Sequence, residues 1–160
     1  DCNIGANALY DYGNYYAWGE TYTKESYTPE NSKTIDKNIH NISSSYEYDV
    51  ARRKLGSPWR IPTKNEFEEL IEECTWVKGE VLGNSGYIVI GPNGNRIFLP
   101  AAGYYSYDTI DSGSGYYWSS SGADDASTVT ASFLYFCPYT SSYRVDWTGR
   151  WDGYTIRPVF

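Results

Sequence analysis

"GSPWRIPTKNEFEELIEECTW", residues 56–76, contains the most strongly marked helix in the chain. Thr63-Lys64-Asn65-Glu66 is a capping box, in which the Thr hydroxyl accepts from the backbone three residues on and the Glu carboxylate reaches back. Behind it Phe67, Leu70, Ile71 and Cys74 recur at i, i+3, i+4 and i+7, the stripe of a helix laid on a core. Glu68, Glu69, Glu72 and Glu73 fall off that stripe and read as a solvated face rather than as an acid/base pair. Upstream, Ser44-Ser45-Tyr46-Glu47 reads as another capping box, opening a helix with Tyr48, Ala51 and Leu55 on one face and a stop at Gly56 before Pro58. Downstream, Tyr87 to Ile90 and Arg96 to Leu99 flank Pro92-Asn93-Gly94, a hairpin signal. Further strands are expected at 116–120, 131–136 and 154–160. Helices early and strands late give an α+β class.

The chain has 160 residues, long enough for one core, so residues 1–160 are read as one domain. Residues 22–43 are polar and aperiodic, a long surface loop. A net charge of −7 argues against nucleic acid and anionic membrane surfaces, which call for basic patches. No apolar run reaches the length of a membrane span. Every Lys and Glu lies at or before Glu80, whereas the 18 Tyr and 6 Trp supply large contact areas on few rotors.

Sites for chemistry are sparse. His40 is the only histidine and sits in the polar loop, so no Ser-His-Asp or Cys-His arrangement is indicated. Asp108 with Asp111, and Asp124 with Asp125, offer oxygens to a hard cation, but their spacing fits no calcium loop and turn-forming Asp is the reading taken. Cys2, Cys74 and Cys137 match no metal spacing; a Cys2–Cys74 disulfide stands against the reading of buried cysteines as small hydrophobes. No enzyme, cofactor or metal is expected.

Six blocks, "CNIGA" (2–6), "DYGNYYAWGET" (11–21), residues 56–76, "GPNGNRIFLPAAGYY" (91–105), "GYYWSSS" (115–121) and "RWDGYTIRPV" (150–159), together resemble a bacterial surface-protein family common in Bacteroidetes, the Fibrobacter succinogenes major paralogous domain. The resemblance runs from end to end in the same order. It implies a C-type lectin-like fold of the formylglycine-generating-enzyme branch: two helices on a small, twisted, mainly antiparallel sheet with much irregular loop. It also implies kinship with the variable proteins of diversity-generating retroelements, whose reverse transcriptase rewrites template adenines near the gene's 3′ end. Calcium-dependent sugar binding is not implied, because "GPNG" and "VDWTG" match neither lectin calcium motif.

That kinship bears on residues 115–160, which hold no Lys, Glu, Gln, Met or His. When both adenines of an AAC or AAT codon are free to change, Lys, Glu, Gln, Met and Trp stay out of reach. Depletion of Lys and Glu in strands and turns accounts for part of the same pattern. The Tyr/Ser/Asp/Gly mixture resembles a paratope, rigid rings beside adaptable polar groups. Residues 101–160 are therefore the expected variable, ligand-displaying region. The expected contact residues are Tyr105, Tyr107, Asp108, Tyr116, Tyr139, Ser141, Ser142, Tyr143, Trp151, Asp152 and Tyr154. Most of these should face solvent on one side, with Trp59, Phe67, Leu70, Trp118 and Phe136 in the core and Arg150 and Arg157 fixing loops. The expected function is a binding module of a bacterial or phage surface protein, on the cell surface or secreted, whose partner is a protein or glycan on a cell, phage or host. The alternatives are a fixed structural or adhesin domain of a surface lipoprotein or pilus-like assembly and, third, a formylglycine-generating-type enzyme.

Overall fold

The computed structural model describes residues 2–160. Its regular elements are helices α1 (Val50–Leu55) and α2 (Lys64–Glu73), and strands β1 (Thr75–Val81), β2 (Asn84–Ile90), β3 (Arg96–Pro100), β4 (Tyr104–Ser106), β5 (Thr109–Asp111), β6 (Gly115–Gly122), β7 (Thr130–Cys137) and β8 (Ser142–Gly149). They form three small antiparallel sheets, β1-β2-β3, β4-β5 and β6-β7-β8, an α+β arrangement.

Helix α2 forms as the capping box requires. Thr63 accepts from the Glu66 N–H, and Glu66 accepts the Thr63 N–H at 2.8 Å and a bidentate pair from Arg60 at 2.6 and 2.7 Å. Its Phe67, Leu70, Ile71 and Cys74 pack with Tyr87, Leu99, Tyr117, Leu134 and Phe136 in one of two hydrophobic clusters. Helix α1 is shorter than expected: Ser45 closes only a turn onto Tyr48, and the true N-cap is Asp49, which accepts from the Arg52 N–H at 3.0 Å. Leu55, expected on its buried face, is exposed.

The sheet β6-β7-β8 separates two cores because side chains alternate across a strand. Tyr117, Leu134 and Phe136 face α2. Trp118, Ala131 and Phe133 face the other cluster, with Trp18, Ile42, Val50, Ile61, Tyr154 and Ile156.

Several expectations are corrected. Residues 154–160 form no strand; their backbone bridges singly to Tyr16, Tyr117 and Arg60. Tyr154, Thr155, Ile156 and Arg157 are all buried, so successive side chains here do not divide between core and solvent. Strand β1 was not anticipated because it turns into β2 through Leu82 and Gly83, both at positive φ, and Leu carries no turn signal there. Residues 22–43 are irregular apart from a 3-10 turn at Pro29–Asn31, yet Tyr27, Thr34 and Ile42 within them are buried. The three cysteines are unpaired. Trp59 is half-buried against Phe160 at 5.0 Å rather than central.

Both arginines anchor loops as expected. Arg150, fully buried, donates to the carbonyls of Thr34, Lys37, Ile39, Ser127 and Thr130 at 2.7–3.1 Å and lies 4.4 Å from the Trp18 ring. Only the planar five-donor guanidinium can satisfy so many carbonyls at once. Arg157 donates to Asn3 Oδ1 at 3.0 Å and to the Phe98 carbonyl at 2.7 Å.

Candidate functional site

The candidate surface is built on the β4-β5 hairpin, residues 104–111. Gly103 enters it at φ +70, where a Cβ would lie 1.7 Å from the Asp111 carbonyl oxygen, so only glycine permits this approach. Tyr105 exchanges backbone hydrogen bonds with Gly153 at 2.7 and 2.8 Å, and Tyr107 exchanges a pair with buried Tyr27 at the same distances. The hairpin tip is thus pinned by its backbone while the Tyr107 side chain is 56% exposed and Asp108, Thr109 and Ile110 are exposed around it.

From the hairpin a run of rings crosses β6-β7-β8. Tyr104 lies 4.7 Å from Tyr116, which lies 5.3 Å from its cross-strand neighbour Tyr135; the Arg144 guanidinium sits 4.3 Å over Tyr135 and pairs with Asp146 at 2.9 Å. The β7-β8 turn completes the patch. Tyr139 in that turn is 79% exposed, and its ring edge lies close enough to touch a Cβ placed on Gly113, beyond β5. Ser141, also exposed, takes positive φ there, while Thr140 and Ser142 share a hydroxyl hydrogen bond of 2.7 Å. Burial pushes the Cys137 thiol up, but hydrogen bonds from the Thr140 and Ser114 hydroxyls and nearby N–H groups outweigh it and bring it to about 7.

Four expected contact residues lie elsewhere. Tyr154 is 3% exposed and stacks on Trp118 at 4.3 Å; it belongs to the core, and the expectation that it faces solvent is corrected. Asp152 is buried, accepting from the Ser106 hydroxyl at 2.8 Å; burial raises its pKa, and it braces the hairpin from behind. Tyr143 points to the opposite side of β8, where it stacks on Trp76 at 4.7 Å. Trp151 is half-buried over Gly149. Tyr105 is half-buried between Tyr15 and Tyr27, and Tyr116 is half-buried with its edge in the patch.

Tyr104, Ile110, Tyr135 and Arg144 were missed. The period-2 alternation of "SYRVDWTG", with Tyr143, Val145 and Trp147 opposite Arg144, Asp146 and Thr148, was the available signal for β8 and for the side Arg144 takes.

Chemically the patch offers ring faces, phenolic hydroxyls and one cation. Burial, then Tyr135, Tyr104 and Asp111, raise the Tyr116 pKa, and burial with Asp111 and Asp152 raises that of Tyr104, so both phenols stay protonated donors at neutral pH. Among the described residues no group of three or more His, Cys, Asp or Glu could hold a metal, and no helix is long and apolar enough to cross a membrane. No family model, curated protein or solved structure matches this chain.

Proposed function

We propose that the chain is a C-type lectin-like binding module of a bacterial or phage surface protein, displaying Tyr107, Asp108, Ile110, Tyr135, Tyr139, Ser141 and Arg144 to a macromolecular ligand. The observation that carries this reading is the pairing of exposed aromatic and small polar side chains with a backbone held from behind. Strand β4 and the turn after it are locked by reciprocal hydrogen bonds from Tyr105 to Gly153 and from Tyr107 to Tyr27, and the loops around Arg150 are fixed by its five carbonyl contacts. Preorganised aromatic anchors lower the ordering cost of binding, the device of a paratope.

The resemblance to retroelement variable proteins suggests how such a surface acquires its ligands, and sequencing the locus from independent isolates tests it. Diversified codons should cluster at 107, 108, 139, 140 and 141, end in a pyrimidine, and be matched by a nearby near-repeat rich in AAC and AAT. Uniform codons and no such repeat would leave the second reading, a fixed structural or adhesin domain. That reading is favoured by one observation, the use of Tyr105, Tyr116, Tyr143 and Tyr154 as packing rings.

A further inference from the structure

A cleft of about 550 Å³ lies between the segment 19–24, the loop around Lys33 and Lys37, and helix α1, and it shares no residue with the display surface. Its lining holds Lys24, Lys33, Lys37 and Arg53 against Glu20 and Glu47, so four positive and two negative charges leave a local balance of +2 in a chain whose net charge is −7. One acid is already committed. Glu20 is buried, pairs with Lys24 at 3.1 Å and accepts the Lys33 backbone N–H at 2.8 Å.

Of the other three cations, Arg53 and Lys37 lie over rings instead of pairing with carboxylates. The Arg53 guanidinium lies 5.4 Å from the Tyr22 ring and 5.2 Å from the Tyr46 ring, and donates to the Tyr22 hydroxyl at 2.9 Å. The Lys37 ammonium lies 5.6 Å from the Tyr48 ring, and the Lys33 side chain is exposed. Neither lysine nor Arg53 forms an ion pair among the described residues. Tyr22 and Tyr46 are themselves 68% and 67% exposed, flat apolar surfaces at the rim of a positive hollow.

We propose that this cleft binds an acidic saccharide, its carboxylate or sulfate held by Lys33, Lys37 and Arg53 and its pyranose ring laid on Tyr22. A guanidinium braced by aromatic rings keeps its unused N–H donors for an oxyanion. A tyrosine face suits the C–H surface of a sugar, and the low density of positive charge elsewhere on the chain makes this the place where an anion is drawn.

Titration of the 160-residue chain with an oligogalacturonate, a sulfated oligosaccharide, a neutral cello-oligosaccharide and inorganic sulfate, followed by NMR shifts of the 19–53 amides, tests the proposal. At least one acidic sugar should bind and the neutral one should not. The Lys33→Gln/Lys37→Gln double variant and Arg53→Gln should each weaken binding about tenfold or more, with unchanged melting temperature. Glu47→Gln should tighten it about threefold, a gain that misfolding cannot mimic. Raised salt should weaken it throughout. The uronate and sulfate arms identify the acid group. Binding of neither acidic sugar, equal binding of the neutral one, inorganic sulfate binding as tightly as the saccharide, or indifference to all three variants would each overturn it.

Discussion

Tyr107 and Tyr154 are the same residue in the same Tyr-rich half of the chain, and both lie in segments bridged by backbone hydrogen bonds to the 16–27 region, yet one is 56% exposed and the other 3%. The hairpin tip turns its backbone inward to Tyr27 and leaves its side chain outside. Residues 152–157 are surrounded on all sides and place every side chain inside. Composition that resembles a paratope thus marks where tyrosine was admitted, while the direction of each ring is set by which backbone neighbours it has.

The sharpest way to break this comparison is Arg150→Ala. It leaves five carbonyls without their donor in a buried site and should cost about 4–5 kcal/mol, read as a fall in melting temperature of roughly 8–20 °C. A loss under about 1 kcal/mol would mean that water replaces the guanidinium freely. Next comes Tyr154→Ala, which removes a ring stacked on Trp118 and touching Phe133 at 5.0 Å; about 3–5 kcal/mol should be lost in urea unfolding. Tyr107→Ala, the matched partner of that test, should change stability by no more than about 0.5 kcal/mol while abolishing ligand capture. Comparable losses at both positions would erase the distinction.

A smaller effect concerns acid. The Arg60 pair, with the Thr63 N–H, holds the Glu66 carboxyl at about 2 against an ordinary 4.5, despite partial burial that raises it. A depressed folded-state pKa contributes stability that is fully present above 4.5 and is lost as pH falls from there through about 2. Because the pair is part-exposed, solvent screening limits its worth to about 1 kcal/mol or less. Glu66→Gln should flatten the acid limb of the stability curve between those pH values, and an unaltered limb would place the acid sensitivity elsewhere.

The fold was most legible where local chemistry and packing agree. The Thr63–Glu66 box, the Phe67 stripe and the Pro92-Asn93-Gly94 hairpin stand where the residues place them. Legibility failed where tertiary contacts decide. "YTIRPVF" has the letters of a strand, but Arg157 reaches Asn3 and Phe98 and Tyr154 meets Trp118, contacts that no window of sequence contains. The candidate surface was half legible for the same reason. Tyr107, Asp108, Tyr139 and Ser141 lie in turns, which place residues outside almost by necessity, whereas Tyr143 and Tyr154 take sides fixed by strand register and by bridges from distant segments.

The division between displayed and structural tyrosines is tested most directly by two surface-displayed libraries of the domain, one randomised at 107, 108, 110, 139 and 141 and the other at 152 and 154, compared by the fraction of members that resist protease. The first library should remain largely resistant, because its positions touch little of the core, and the second should retain only members with an aromatic residue at 154. Equal resistance in the two libraries, or collapse of the first, would contradict the account.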